Sequence, residues 1–183
     1  MPIVNITATF ETKHLNFDEV KQLLSIAPMK KSVKRKRKTN AFDQVMIRKP
    51  ASRIVFLLYR SQRCVCLGSR SIDELHLACN WVQEQLSIEI KRGPDICNIV
   101  FSCVSPWGSV SLEQLFLRLQ RENPRRAFGY FDPELSPALI YVPRCSPRAK
   151  ALIFRPGKVN ITGVRTSEEA ESVAREVEYI LRP

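Results

Sequence analysis

The side chains that most often perform covalent or metal chemistry are present but scattered. Cys64, Cys66, Cys79, Cys97, Cys103 and Cys145 form no CxxC pair, and His14 and His76 stand far from any ligand-like cluster, so the spacing of a zinc site or a thiol redox centre is not met. The cysteines read as reduced structural thiols, which behave as small hydrophobes when buried. There is no Ser-His-Asp pattern, no pair of carboxylates suited to a cleft, and no phosphate-cradling loop among six glycines. Catalysis is therefore set aside, and with it any metal or cofactor. What remains is recognition chemistry. Twenty-nine Lys and Arg against 18 Asp and Glu leave a net charge of +11, which points to a polyanionic partner, nucleic acid first.

The elements that must position such groups emerge from an internal repeat. Residues 59–68, YRSQRCVCLG, and 154–163, FRPGKVNITG, lie 95 positions apart. The segments opening at Ser71 (SIDE) and Thr166 (TSEE) are capping-box patterns at the same offset, each starting an amphipathic run. Asn16 (NFDE) and Ser111 (SLEQ) repeat the pattern, again 95 apart, and Asn5-Ile-Thr and Asn98-Ile-Val are 93 apart. The chain thus reads as two α+β copies, 1–90 with a basic loop at 30–38, and 91–183. Each runs strand, helix, several strands, helix. The final helices carry the stripes Ile72, Leu75, Val82, Leu86 and Ala170, Val173, Val177, Ile180. Strands are expected near 42–49, 53–60 and 63–68, and near 138–143, 148–155 and 158–163.

Alternation along the strands divides their faces. Asn98, Val100 and Ser102 share one face and Ile99, Phe101 and Cys103 the other; Asn5, Thr7 and Thr9 likewise oppose Ile6, Ala8 and Phe10. The later strands are apolar on both sides, since Leu57, Tyr59, Val65 and Leu67 alternate with Phe56, Leu58, Cys64 and Cys66. Helices on one side only would leave an exposed apolar face, the usual mark of an interaction surface. No stretch approaches the roughly 20 apolar residues of a membrane span, and the amino terminus lacks the pattern of a signal peptide, so an intracellular chain is expected.

Residues 131–141, FDPELSPALIY, and 151–163, ALIFRPGKVNITG, resemble the TATA-box-binding protein family and its divergent TBP-like members, which carry YEPELFPGLIY and LLIFxSGKxxxTG. The first copy matches more loosely through FLLY at 56–59 and RCVCLG at 63–68. The resemblance implies a saddle in which two pseudo-symmetric repeats form one curved antiparallel sheet, helices on the convex face and the minor groove of double-stranded DNA beneath the concave one. Asn5 and Asn98 would donate to groove acceptors. Thr7, Val100, Leu57, Val65, Leu67, Leu152 and Thr162 would press on sugars and base edges, joined by Asn160, where the family usually has a small apolar residue. Tyr59 and Phe154 would each supply one of a pair of kinking wedges, a binding mode for which this family is the type case. Phe42 or Asn40 would partner Tyr59, while Ser136 falls where the partner of Phe154 belongs and is too small to wedge. Lys34, Arg35, Lys36, Arg37 and Lys38, in a run from Lys30 with seven basic residues in nine, would contact phosphate or serve as a nuclear localisation signal, and Arg63 and Lys158 are further phosphate contacts. Asp132, Glu134 and Leu135 match the stirrup that holds TFIIB.

Two function classes follow from the resemblance. One is a non-enzymatic initiation factor, monomeric on DNA, that binds and bends A·T-rich promoter DNA and recruits a TFIIB-like factor and polymerase. The other is a TBP-like interaction protein that has lost TATA binding and works through TFIIB-like or TFIIA-like partners. Asn5, Asn98 and Phe154 favour the first; Ser136 and Asn160 favour the second. The expected location is the nucleus, or a viral transcription compartment.

Overall fold

A computed structural model describes residues 2–13, 15–26, 44–122 and 128–182. The chain divides into two compact units, an amino unit of Ile6–Cys97 and a carboxy unit of Met1–Asn5 with Asn98–Pro183. Two strands contribute to both: β1 (Ile3–Lys13) and β5 (Glu89–Val104). Phe42 and the basic run 30–38 lie outside the described residues.

The amino unit adds α1 (Phe17–Ile26), β2 (Gln44–Arg48), β3 (Val55–Tyr59), β4 (Arg63–Ser69) and α2 (Ile72–Leu86). Its strands pair antiparallel in the order β2-β3-β4-β1. Period-2 alternation decides which side is covered. Ile6, Ala8, Phe10, Phe56, Leu58, Cys64 and Cys66 are buried, with Phe56 fully so. Phe56 sits edge-on to Phe10 at 6.2 Å between centroids and stacks on Trp81 of α2 at 6.1 Å, so the helix seals this side.

The carboxy unit adds α3 (Leu112–Glu122), β6 (Gly129–Tyr130), β7 (Ala138–Tyr141), β8 (Lys150–Phe154), β9 (Lys158–Val164) and α4 (Ser167–Leu181). Its antiparallel order is β5-β9-β8-β7-β6. Ile99, Phe101, Leu139, Ile153, Val159 and Ile161 are buried on the helix side. The short strand β6 has no counterpart in the strands expected from the sequence.

The repeat has a physical cause at several positions. Gly68 (φ 103°) and Gly163 (φ 83°) have left-handed backbones, and a Cβ on either would meet the carbonyl oxygen of Arg53 or Arg148 at 2.6 or 2.5 Å. Both sites follow an irregularity in the facing strand, between Ile6 and Thr7 and between Ile99 and Phe101. Both capping boxes form: the Ser71 hydroxyl accepts from Glu74 N–H at 3.0 Å and the Thr166 hydroxyl from Glu169 N–H at 3.2 Å. Each glutamate reaches back to the N–H before the cap, Arg70 or Arg165. Such caps each contribute about 1 kcal/mol.

Two expectations are corrected. In α2, Ile72 is 50% exposed and Leu86 half-buried, and the core stripe is Leu75, Ala78, Cys79 and Val82. As the first helical residue, Ile72 leans back over the cap, away from the sheet. The α4 stripe of Ala170, Val173, Val177 and Ile180 is buried throughout. Among the thiols, Cys64, Cys66 and Cys79 are buried, but Cys103 is half-buried and Cys97 and Cys145 are exposed, the last in the turn between β7 and β8.

Candidate nucleic-acid interface

In each unit the strand face opposite the helices is half-buried and carries a regular array. Cross-strand register in the amino unit aligns Met46, Leu57, Val65 and Thr9 in one row, and Arg48, Val55, Leu67 and Thr7 in the next. Tyr59 stands opposite Gln44, and Arg63 opposite Glu11. In the carboxy unit the corresponding rows are Ile140, Leu152, Asn160 and Ser102, then Lys150 and Thr162. Phe154 stands opposite Ala138, and Lys158 opposite the exposed Val104. Side chains on a strand pair contribute most through such direct cross-strand neighbours.

Asn5, Thr7, Leu57, Tyr59, Val65, Leu67, Asn98, Val100, Leu152, Phe154, Asn160 and Thr162 are all half-buried, and Arg63 and Lys158 are exposed. Met46, Arg48, Val55, Thr9, Ile140, Ser102 and Lys150 complete the rows. Thr9 and Ser102 already share a face with the asparagines by alternation, and the same period in β3 and β7 marks Val55 and Ile140. Met46 needed the register of β2 against β3, which the sequence does not carry.

Asn98 is held on both sides of its carboxamide. The Gly163 N–H donates to its Oδ1 at 2.7 Å, and its Nδ2 lies 3.2 Å from Thr162 Oγ1. A backbone N–H requires an oxygen opposite it, so the carboxamide orientation is fixed by the fold. Nδ2 has two hydrogens, and Thr162 takes one. The strand irregularity and Gly163 together bring that N–H within reach.

Ser136 is held differently. Its Oγ accepts from Ala138 N–H at 3.2 Å, closing a tight turn before β7, so the hydroxyl is committed to backbone. The preceding acidic turn is organised by Asp132, whose carboxylate accepts from the Tyr130 hydroxyl and from Glu134 N–H, both at 2.9 Å. The Tyr130 hydroxyl, then the Glu134 N–H, hold the Asp132 carboxyl below its usual range. Leu135 projects outward at 77% exposure beside exposed Glu134. The turn thus offers an anion and a bare leucine together.

Among the described residues no group of three or more His, Cys, Asp or Glu gathers as a metal would need, and no helix is long and apolar enough to cross a membrane.

The open strand face in each unit invites comparison with known proteins. The family model described as transcription factor TFIID (or TATA-binding protein, TBP) matches residues 93–183. TATA-box-binding protein B of Halobacterium salinarum is 30% identical over 142 residues, spanning 75% of this chain and 73% of that protein. TATA-box-binding protein 2 of Haloferax volcanii is 29% identical over 141 residues, 74% and 72% of the two chains. In structure, the chain matches Methanococcus jannaschii TBP with a TM-score of 0.72 over 98% of its length and 97% of the other's, at 20% identity. The second of the two copies is thus the one the family model covers, the halobacterial relative extends the likeness well beyond it, and the chain belongs to the TATA-binding protein family of transcription factors.

Proposed function

We propose that the protein applies the open strand faces of its two copies, 1–90 and 91–183, to the minor groove of A·T-rich promoter DNA as a non-enzymatic initiation factor that needs no cofactor. The observation that carries this reading is the locked carboxamide of Asn98. With Oδ1 committed to Gly163 N–H, Asn98 presents a donor amid Val100, Leu152 and Thr162, and the floor of an A·T minor groove offers acceptors only. Thr7, Leu57, Val65 and Leu67 supply the matching apolar surface from the other copy, with Asn5 as the second donor. Tyr59 and Phe154 are the aromatic side chains placed to wedge base steps, Arg63 and Lys158 the cations nearest the phosphates, with the 30–38 run adding further positive charge. A guanine amino group beneath this surface would be desolvated without a partner. Competition between a TATA duplex and its G·C-substituted form tests the reading. A preference for the TATA duplex at moderate salt supports it, and equal affinity removes it.

Recruitment of a TFIIB-like factor is assigned to Asp132, Glu134 and Leu135. A preorganised acidic turn on a chain of net charge +11 complements a basic partner and sets register and on-rate. Charge reversal of Asp132 and Glu134 to Arg is expected to abolish the ternary complex in a gel shift while leaving binary DNA binding intact or slightly tighter. The protein works where promoter DNA lies, which is the nucleus only in a nucleated cell.

A second reading, a TBP-like protein acting through TFIIB-like or TFIIA-like partners without TATA binding, is favoured by Ser136. Its hydroxyl is tied to the Ala138 N–H where a wedge would be needed.

A further inference from the structure

The two copies are not chemically equivalent where they would meet the groove: Val55, Leu67 and Val65 of the amino unit stand where the carboxy unit has Lys150, Thr162 and Asn160, and of these Asn160 is the half-buried carboxamide. Asn160 occupies the position that Val65 holds in the amino unit, in matching rows: Leu152 and Ser102 flank Asn160, while Leu57 and Thr9 flank Val65. Its neighbours Val159 and Ile161 are buried on the helix side, so strand alternation turns Asn160 to the open face. There it is half-buried. Unlike Asn98, whose oxygen is held by Gly163 N–H, the Asn160 carboxamide has no hydrogen-bond partner among the described residues.

A carboxamide with no imposed orientation presents either its oxygen or its NH₂ group. Valine presents neither. In the minor groove, A·T pairs offer acceptors, and G·C pairs add the guanine 2-amino donor. An apolar side chain over that amino group leaves a donor desolvated and unpaired. Asn160 Oδ1 instead accepts from it, and over an A·T pair the same group rotates to donate.

We propose that Asn160 makes one base step beneath the carboxy unit tolerant of a G·C pair, while the equivalent step beneath Val65 rejects it. This rests on the minor-groove reading above and names the sequence class that reading leaves open: a site strict for A·T in one half and permissive for guanine at one step of the other. Such a site is asymmetric, so Asn160 also gives a protein built of two repeated copies a preferred direction along its promoter.

The test is a set of duplexes in which each A·T pair of a binding site is replaced singly by G·C, and separately by inosine·C, which lacks the 2-amino group. Binding is measured by fluorescence anisotropy at fixed salt with wild type, Asn160→Val and Val65→Asn. For wild type, one step is expected to tolerate G·C within about threefold, while its mirror step loses roughly tenfold or more, the scale of a single base contact. Inosine should erase the loss at the mirror step. Asn160→Val should raise the G·C penalty at the tolerant step, measured relative to the same variant's affinity for the all-A·T site, and leave the relative penalties at the other steps unmoved, and Val65→Asn should relax the mirror step. Equal penalties at mirrored steps, or a tolerant step unmoved by Asn160→Val, overturn the inference while the preference for A·T survives. Loss of discrimination between all-A·T and all-G·C sites overturns the minor-groove reading, and the inference with it.

Discussion

At the scale of single residues, the Asn98 carboxamide shows how a backbone turns a versatile side chain into a specific one. Asn98 is held by Gly163 N–H and Thr162 Oγ1. Substituting Asp at 98 keeps an oxygen for the Gly163 N–H, so folding stability should change little, while the donor disappears and a negative charge enters a phosphate-lined site. DNA affinity is expected to fall by at least about 1–3 kcal/mol, and a titration read beside a urea melt separates the two effects. Ser136→Phe tests the neighbouring end. It frees the Ala138 N–H but restores an aromatic group beside Phe154, and fluorescence distances between the ends of a labelled site should show a larger bend. An unchanged distance would mean that another residue already fills the wedge position or that the duplex is not kinked at that end. The type of Asn5 and Asn98 was legible because the repeat placed them in register. The lock on Asn98 was not, since it depends on a strand irregularity and on a backbone N–H that no side-chain pattern encodes.

At the scale of elements, both units use a covered sheet face, but they anchor their turns by different chemistry. The turn between β7 and β8 is clamped to α4 by Glu176, which accepts from the Tyr141 hydroxyl at 2.6 Å and the N–H groups of Arg144 and Cys145 at 2.7 and 3.0 Å. Burial pushes this carboxyl up, but the Arg144 N–H, the Tyr141 hydroxyl and the Cys145 N–H outweigh it and hold the group below its ordinary value of 4.5. A folded-state value below the unfolded one gives stability that is present above about pH 4.5 and lost as pH falls through the lower folded value. Urea midpoints should therefore drop on acidification through that window. Glu176→Gln should flatten the drop and cost about 1–2 kcal/mol at neutral pH, the scale of weakened hydrogen bonds to a charged group. In the amino unit the counterpart of strength is aromatic. Phe56→Ala removes the ring between Phe10 and Trp81 and should cost about 3–5 kcal/mol, read as a lower thermal midpoint. Strand and helix existence was written in the alternation and the capping boxes. The two-residue β6 was not, because Gly129 and Tyr130 carry no periodicity; the strand exists through its pairing with Tyr141 and Ile140.

At the scale of the whole molecule, an excess of 11 positive charges sets how binding responds to salt. Replacing the seven Lys and Arg between Lys30 and Lys38 with Gln should weaken binding alike on all sequences and flatten the slope of log affinity against log salt, because fewer counterions are released. An unaltered slope would assign the run to localisation or solvation. The thiols divide the chain in another way. Cys64, Cys66 and Cys79 all lie buried in the amino unit, and burial pushes them up to about 12, 12 and 11, so at neutral pH they are both protonated and shielded from reagent. Cys97 and Cys145 are exposed, although burial and then the Glu176 carboxylate push Cys145 up to about 11, and Cys103 is half-buried in the carboxy unit. Once those three are replaced by serine, slow modification by a disulfide reagent counts the moments when the amino unit's sheet parts from its helices. The chain then carries its own stopwatch for the breathing of one half, and a ligand that grips that half should slow the hand.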